Sequence, residues 1–121
     1  MEKLAKEAVN AAFRVHNSLG PGLLESVYEA CLAYEIRKQG IEVQTQVAFP
    51  VVYEQVRLEA GLRIDILVAE KLIIEVKAID MLLPIHDAQL ITYLRLTNRR
   101  LGLLINFNVR RIKQGIKRIV L

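Results

Sequence analysis

Residues Leu62 to Lys77, LRIDILVAEKLIIEVK, decide the fold. Two apolar runs, LRIDILV and LIIEVK, flank Ala69-Glu70-Lys71, the polar break between them. The pattern predicts a β-hairpin. Side chains on a strand alternate between faces, so Leu62, Ile64, Ile66 and Val68 are expected on one apolar core face with Leu72, Ile74 and Val76. The other face carries Arg63, Asp65 and Leu67 beside Ile73, Glu75 and Lys77. With Ala69-Glu70-Lys71 as the loop, Val68 pairs with Leu72, and Asp65 then stands opposite Glu75. Directly opposed like charges destabilise a strand pair. A sheet built for stability alone would slip by two residues and set Arg63 against Glu75, but that strands Val68 in the loop. The favoured register therefore holds two carboxylates together with an ammonium group beside one of them, an arrangement suited to a divalent cation. The competing reading is a solvated hairpin face with loose ion pairs.

The 121-residue chain, 53% hydrophobic and 25% charged, fits one domain (residues 1–121) with a substantial core. Its apolar content for so short a chain suggests a homodimer. The lone Cys31 excludes a disulfide scaffold and a cysteine-rich metal site, and fits a reducing cytoplasm. No apolar run approaches the ~20 residues of a membrane span, so no membrane partner is expected. MEKLAKEAVNAAF carries charges through its first turns and lacks the apolar segment of a signal peptide.

The net charge of +4 is unevenly placed. Residues 1–87 hold nine Lys+Arg and all thirteen acids, whereas residues 88–121 hold eight Lys+Arg and no acid. These eight, Arg95, Arg99, Arg100, Arg110, Arg111, Lys113, Lys117 and Arg118, are the candidate contacts to an anionic partner. The alternative is a solvated basic surface.

Outward from the hairpin, apolar spacing predicts a helix over 2–18 with Leu4, Ala8, Ala11 or Ala12, Val15 and Leu19 inward. Gly20-Pro21-Gly22 breaks it, and a second helix over 23–39 presents Leu24, Val27, Tyr28, Cys31, Leu32 and Ile36. Glu25 falls in that helix's first turn, sharing a face with Tyr28. Residues 41–49 read as a strand, Pro50 as an edge or bulge, and Glu54-Gln55 as a turn. Pro84 suits the first turn of a helix reaching Asn98, with His86, Gln89 and Tyr93 on one side and Leu83, Leu90, Ile91 and Leu94 on the core side. Residues 101–107 read as a buried strand, and 109–121 as a last edge strand or a turn and strand.

In this order Gly22-Leu-Leu-Glu25-Ser-Val-Tyr28 resembles the G-x-x-E-x-x-Y signature of the GxxExxY family. Asp65, Glu75-Val-Lys77 and Gln89-Leu-Ile-Thr-Tyr93 match the remaining motifs of the PD-(D/E)XK nuclease superfamily, to which that family is assigned. Ile64 stands where the name-giving proline would be, and proline is not a ligand. The resemblance implies an α/β, restriction-endonuclease-like core: a mixed sheet flanked by helices in the order α-α-β-β-β-α-β with a short C-terminal strand. It implies Mg²⁺-dependent phosphodiester hydrolysis in nucleic acid, DNA before RNA, with Mn²⁺ as substitute. Asp65, Glu75 and the Val76 carbonyl would bind the metal, with Glu25 through water or at a second ion. Lys77 would orient water or stabilise charge, and Gln89 and Tyr93 would line the site. The rival reading is a nucleic-acid-binding or regulatory assembly domain that keeps the fold and cleaves little.

Overall fold

The computed structural model describes residues 1–121. Helix α1 (Glu2–Leu19) and helix α2 (Glu25–Arg37) precede strands β1 (Val43–Tyr53), β2 (Val56–Val68) and β3 (Leu72–Lys77). Helix α3 (Pro84–Leu96), strand β4 (Leu101–Asn106), a 3-10 turn (Ile112–Gly115) and strand β5 (Ile116–Val120) complete the chain. The strands form one sheet in the order β1-β2-β3-β4-β5. Only β3 and β4 run parallel, joined by the α3 crossover; the other neighbours are antiparallel. This is the expected mixed α/β architecture.

Helices cover both faces, so the sheet needs two cores. The larger lies under α1 and α2, where Ala5, Ala8, Ala11, Ala12 and Val15 meet Tyr28, Leu32, Ile36, Ile66, Ile74 and Ile105. Four alanines let the α1 backbone approach closely. The smaller lies under α3, where Leu90 and Leu94 meet Leu62, Ile64, Leu67, Ile73 and Leu104. Gly102 makes that approach possible: a Cβ there would sit 3.0 Å from the Leu90 side chain.

The hairpin departs from strict alternation. Val68 pairs with Leu72 as expected, and Ala69 and Glu70 turn the chain with φ of 50° and 60°. Ile66 and Val68 face α1 and α2 with Leu72, Ile74 and Val76, but Leu62 and Ile64 lie in the opposite layer with Leu67 and Ile73. The strand turns over at Asp65. There the β1–β2 ladder skips the Gln46–Asp65 pair between Thr45–Ile66 and Val47–Ile64, and Gln46 takes a left-handed φ of 52°. A residue in that conformation sharpens the local twist and re-aims its neighbours.

Other inward positions are also corrected. Leu24 is the N-terminal flank of α2 rather than part of its stripe, and it is exposed, as is Val27. Leu19, Leu83 and Ile91 face outward as well. The helix expected to reach Asn98 ends at Leu96. Pro50 does mark an irregularity, a register shift between Phe49 and Val51 on the edge strand. No helix is long and apolar enough to cross a membrane.

Candidate active site

The β2–β3 ladder ends at the Ile66–Ile74 pair. At the next position the main chains no longer bond each other, and the side chains take over. The Asp65 N–H donates to Glu75 Oε2 at 3.0 Å, and the Val76 N–H donates to Asp65 Oδ2 at 2.9 Å. The two carboxylates thus lock the fork where β2 and β3 diverge. Each takes a backbone donor that a continued sheet would have used.

Glu75 is almost wholly buried, with 3% of its surface exposed. Burial first, and the Asp65 charge second, push its pKa up to about 8; the Lys77 charge opposes this only in part. Neither Arg63 nor Lys77 is in any of the molecule's ion pairs. Lys77 instead donates to Gln89 Oε1 at 3.5 Å, and Gln89 Nε2 donates to the Tyr93 hydroxyl at 3.2 Å. Burial and then the Glu75 charge raise the Tyr93 pKa, which keeps the phenol a proton donor.

Helix α2 supplies the opposite rim. Glu25 is its first residue, and partial burial, then the Asp65 charge, raise its pKa. Glu29, one turn on, is raised by the same two causes and accepts a 2.8 Å bond from Gln46 Nε2. Gln46 also reaches Asp65 Oδ1 at 3.4 Å. Neither Glu29 nor Gln46 is among the residues expected from sequence. The spacing of Glu25 and Glu29, which puts them on one helix face, is an available signal; the backbone reversal that aims Gln46 has none.

Tyr28 sits on the same helix but points into the core rather than into the site. Its ring stacks on Phe107 with centroids 4.7 Å apart, and its hydroxyl donates to the Gly20 carbonyl at 2.6 Å while accepting the Leu23 N–H at 3.0 Å. It thereby fixes the loop that delivers Glu25, a loop in which Gly22 takes a φ of 99°. His86 is engaged as a helix cap: its Nδ1 accepts the Leu83 N–H at 2.8 Å. A further residue beyond those expected, Asn106, is buried and bonds the main chain of Ile79 through both ends of its amide, at 3.1 and 2.9 Å. It anchors the turn that follows Lys77.

The donors converging on the fork are hard oxygens, and two closely set carboxylates with no ion-pair partner suit a divalent ion. No group of three or more His, Cys, Asp or Glu side chains is arranged to hold a metal by itself. A site of two carboxylates completed by water is the pattern that Mg²⁺ tolerates. The Lys77 carbonyl points toward β4, where it accepts the Phe107 N–H. Alternation therefore turns the Val76 carbonyl toward the fork, alongside its N–H.

Of the eight basic residues in the C-terminal third, Arg99 pairs with Glu70, Lys117 with Asp87 and Arg118 with Glu2. Arg95, Arg100, Arg110, Arg111 and Lys113 form no ion pair. Arg110, Arg111 and Lys113 line a groove of about 320 Å³ with Phe13, His16 and Asn17.

A mixed sheet between helical layers, with acids at the fork of its central hairpin and Glu-x-Lys on the strand leading into the crossover, defines a restriction-endonuclease-like, nuclease-type domain. The model of the PD-(D/E)XK nuclease superfamily matches residues 2–119, and the chain belongs to that superfamily. No curated protein and no solved structure matches the chain.

Proposed function

We propose that this domain hydrolyses phosphodiester bonds in nucleic acid, DNA first, with a divalent metal, Mg²⁺ or Mn²⁺ in its place. The observation that carries this is the reciprocal carboxylate–backbone lock of Asp65 and Glu75, with Glu75 buried, neither acid in an ion pair, and Lys77 alongside. Asp65, Glu75 and the Val76 carbonyl would hold the ion, with Glu25 at its outer rim. When bound, such an ion neutralises phosphate charge and makes its water more acidic. Lys77 lies on the face of Glu75 and brings a positive donor to the attacking water or the departing oxygen. Gln89 holds the Lys77 ammonium through its carbonyl and the Tyr93 oxygen through its amide. That leaves the Tyr93 O–H free to donate to a phosphate oxygen. Gln46 Nε2 bridges the Glu29 and Asp65 carboxylates.

The test is incubation of plasmid, linear DNA and RNA with the protein and Mg²⁺ or Mn²⁺, with and without EDTA. Cleavage should require metal, and Lys77→Ala should lower it at least ~100-fold, the scale for losing a charged stabiliser, while leaving the circular dichroism spectrum unchanged. Binding without cleavage under every metal condition would move the chain to the regulatory reading. Wild-type cleavage by Lys77→Ala would remove Lys77 from the mechanism.

A further inference from the structure

We propose that two copies of this chain associate through β2, with Val56–Ala60 pairing antiparallel to the same residues of the second copy and Leu58 on the two-fold axis. The inference is independent of the nuclease reading.

The sheet has three stretches of strand edge, and two are blunted. The outer edge of β1 is broken by Pro50, which has no N–H, and by the left-handed Gln46. The β5 edge is short and carries Lys117 and Arg118. The third edge belongs to β2. It has β1 along one side, but β3 pairs only with Ile66, Leu67 and Val68. From Val56 to Ala60 every residue is exposed and no proline interrupts. β2 carries the extra residues of the register shift between Leu58 and Leu62 but stays one extended strand through them, and an open edge is a template for another strand.

The apolar side chains on this arm mark a covered surface. Tyr53, Val56 and Leu58 are 72%, 54% and 57% exposed. Cross-strand pairing sets Val56 beside Tyr53 and Leu58 beside Val51, so they share one face of the β1–β2 hairpin. Joining two such hairpins side by side makes one continuous apolar strip from two small patches.

The sequence of the edge is complementary to itself. Read antiparallel about Leu58, Val56-Arg57-Leu58-Glu59-Ala60 sets Arg57 opposite Glu59 of the second copy, twice, and Val56 opposite Ala60. The neighbouring two-fold registers are opposed by charge. Centring on Arg57 sets Arg57 against itself, and centring on Glu59 sets Glu59 against itself. One register is therefore selected. Within one copy Arg57 Nε lies 2.6 Å from Glu59 Oε1, and both side chains are more than half exposed. They can exchange partners without unburying anything.

Sedimentation equilibrium across a micromolar to submillimolar dilution series tests this. Wild type should show a reversible monomer–dimer equilibrium. Arg57→Glu alone and Glu59→Arg alone each place like charges in opposition and should weaken the dimer at least tenfold. The double exchange Arg57→Glu with Glu59→Arg should restore it. An equimolar mixture of the two single variants should form a mixed dimer, since each then meets its opposite charge. All of these positions are exposed, so the fold should persist, which circular dichroism checks. Wild type that stays monomeric throughout overturns the proposal. So do single variants that dimerise as wild type, or single variants that fail to associate when mixed.

Discussion

Glu75 carries two requirements that conflict. Its backbone bond to Asp65 favours the ionised form, whereas burial and the Asp65 charge favour the protonated one, and the latter win, with the pKa at about 8. The unfolded chain holds that proton only up to about the ordinary 4.5. The folded state therefore binds more protons between these values. Stability from this group is fully present below about 4.5 and declines as pH rises through about 8. In EDTA the melting temperature should fall over this window by roughly 5 °C or more, and Glu75→Gln should flatten the decline. Asp65 tests the same conflict from the other side. Asn at 65 keeps an oxygen for the Val76 N–H while removing the charge that faces Glu75. Metal-free Asp65→Asn should melt at or slightly above the wild-type temperature. Mg²⁺ or Mn²⁺ should raise the wild-type melting point by mass action and leave the variant unmoved. Destabilisation of the variant in EDTA, with no metal effect on wild type, would return the pair to an ordinary charged sheet face.

At the scale of elements, the question is what brings Glu25 to the fork. Helix α2 begins after a loop that has left-handed glycines and is clamped by the Tyr28 hydroxyl. Tyr28→Phe leaves the ring stack on Phe107 but removes both hydroxyl bonds. The Gly20 carbonyl and Leu23 N–H then lose their partner, which should cost ~1–3 kcal/mol in denaturant unfolding. Cleavage should fall further than Tyr28→Phe stability accounts for, because Glu25 loses its fixed position; unchanged activity at reduced stability would confine Tyr28 to the fold. These elements show how far the sequence is legible. The hairpin, its loop, the Pro50 irregularity and the helix carrying Gln89 and Tyr93 follow from periodicity and turn chemistry. What periodicity cannot supply is the reversal at Asp65, because it depends on Gln46, a residue type with no intrinsic preference for a left-handed backbone. That reversal sends Leu62 and Ile64 to the α3 layer and leaves the Asp65 carboxylate at the seam between the layers. Leu24, Val27, Leu83 and Ile91 depart from the expected burial for a plainer reason. They lie at helix starts or on helix flanks, where an apolar residue fits the spacing without being covered.

Over the whole molecule, the excess of positive charge in residues 88–121 divides into cations with a structural partner and cations without one. Arg118 holds β5 to α1 through Glu2, Lys117 holds β5 to α3 through Asp87, and Arg99 holds the hairpin turn through Glu70. Exposed pairs of this kind contribute little to stability, but their charge is already opposed. Arg110, Arg111 and Lys113 have no such acid and share one groove with Phe13 and Asn17. A basic stretch read as a whole thus narrows to a local surface. If that surface tracks a nucleic-acid backbone, each phosphate it neutralises steepens the fall of log K with log salt by ~0.9 on duplex DNA. Arg110→Glu with Arg111→Glu should weaken binding to all sequences alike and make the slope shallower by roughly twice that amount. Lys117→Ala, whose ammonium faces Asp87, should change the slope much less. Fluorescence anisotropy across a salt series separates the two. A wild-type slope for the double variant would leave the groove a solvated surface. A change of slope for Lys117→Ala as large as for the double variant would mean that net charge, rather than this groove, attracts the polymer.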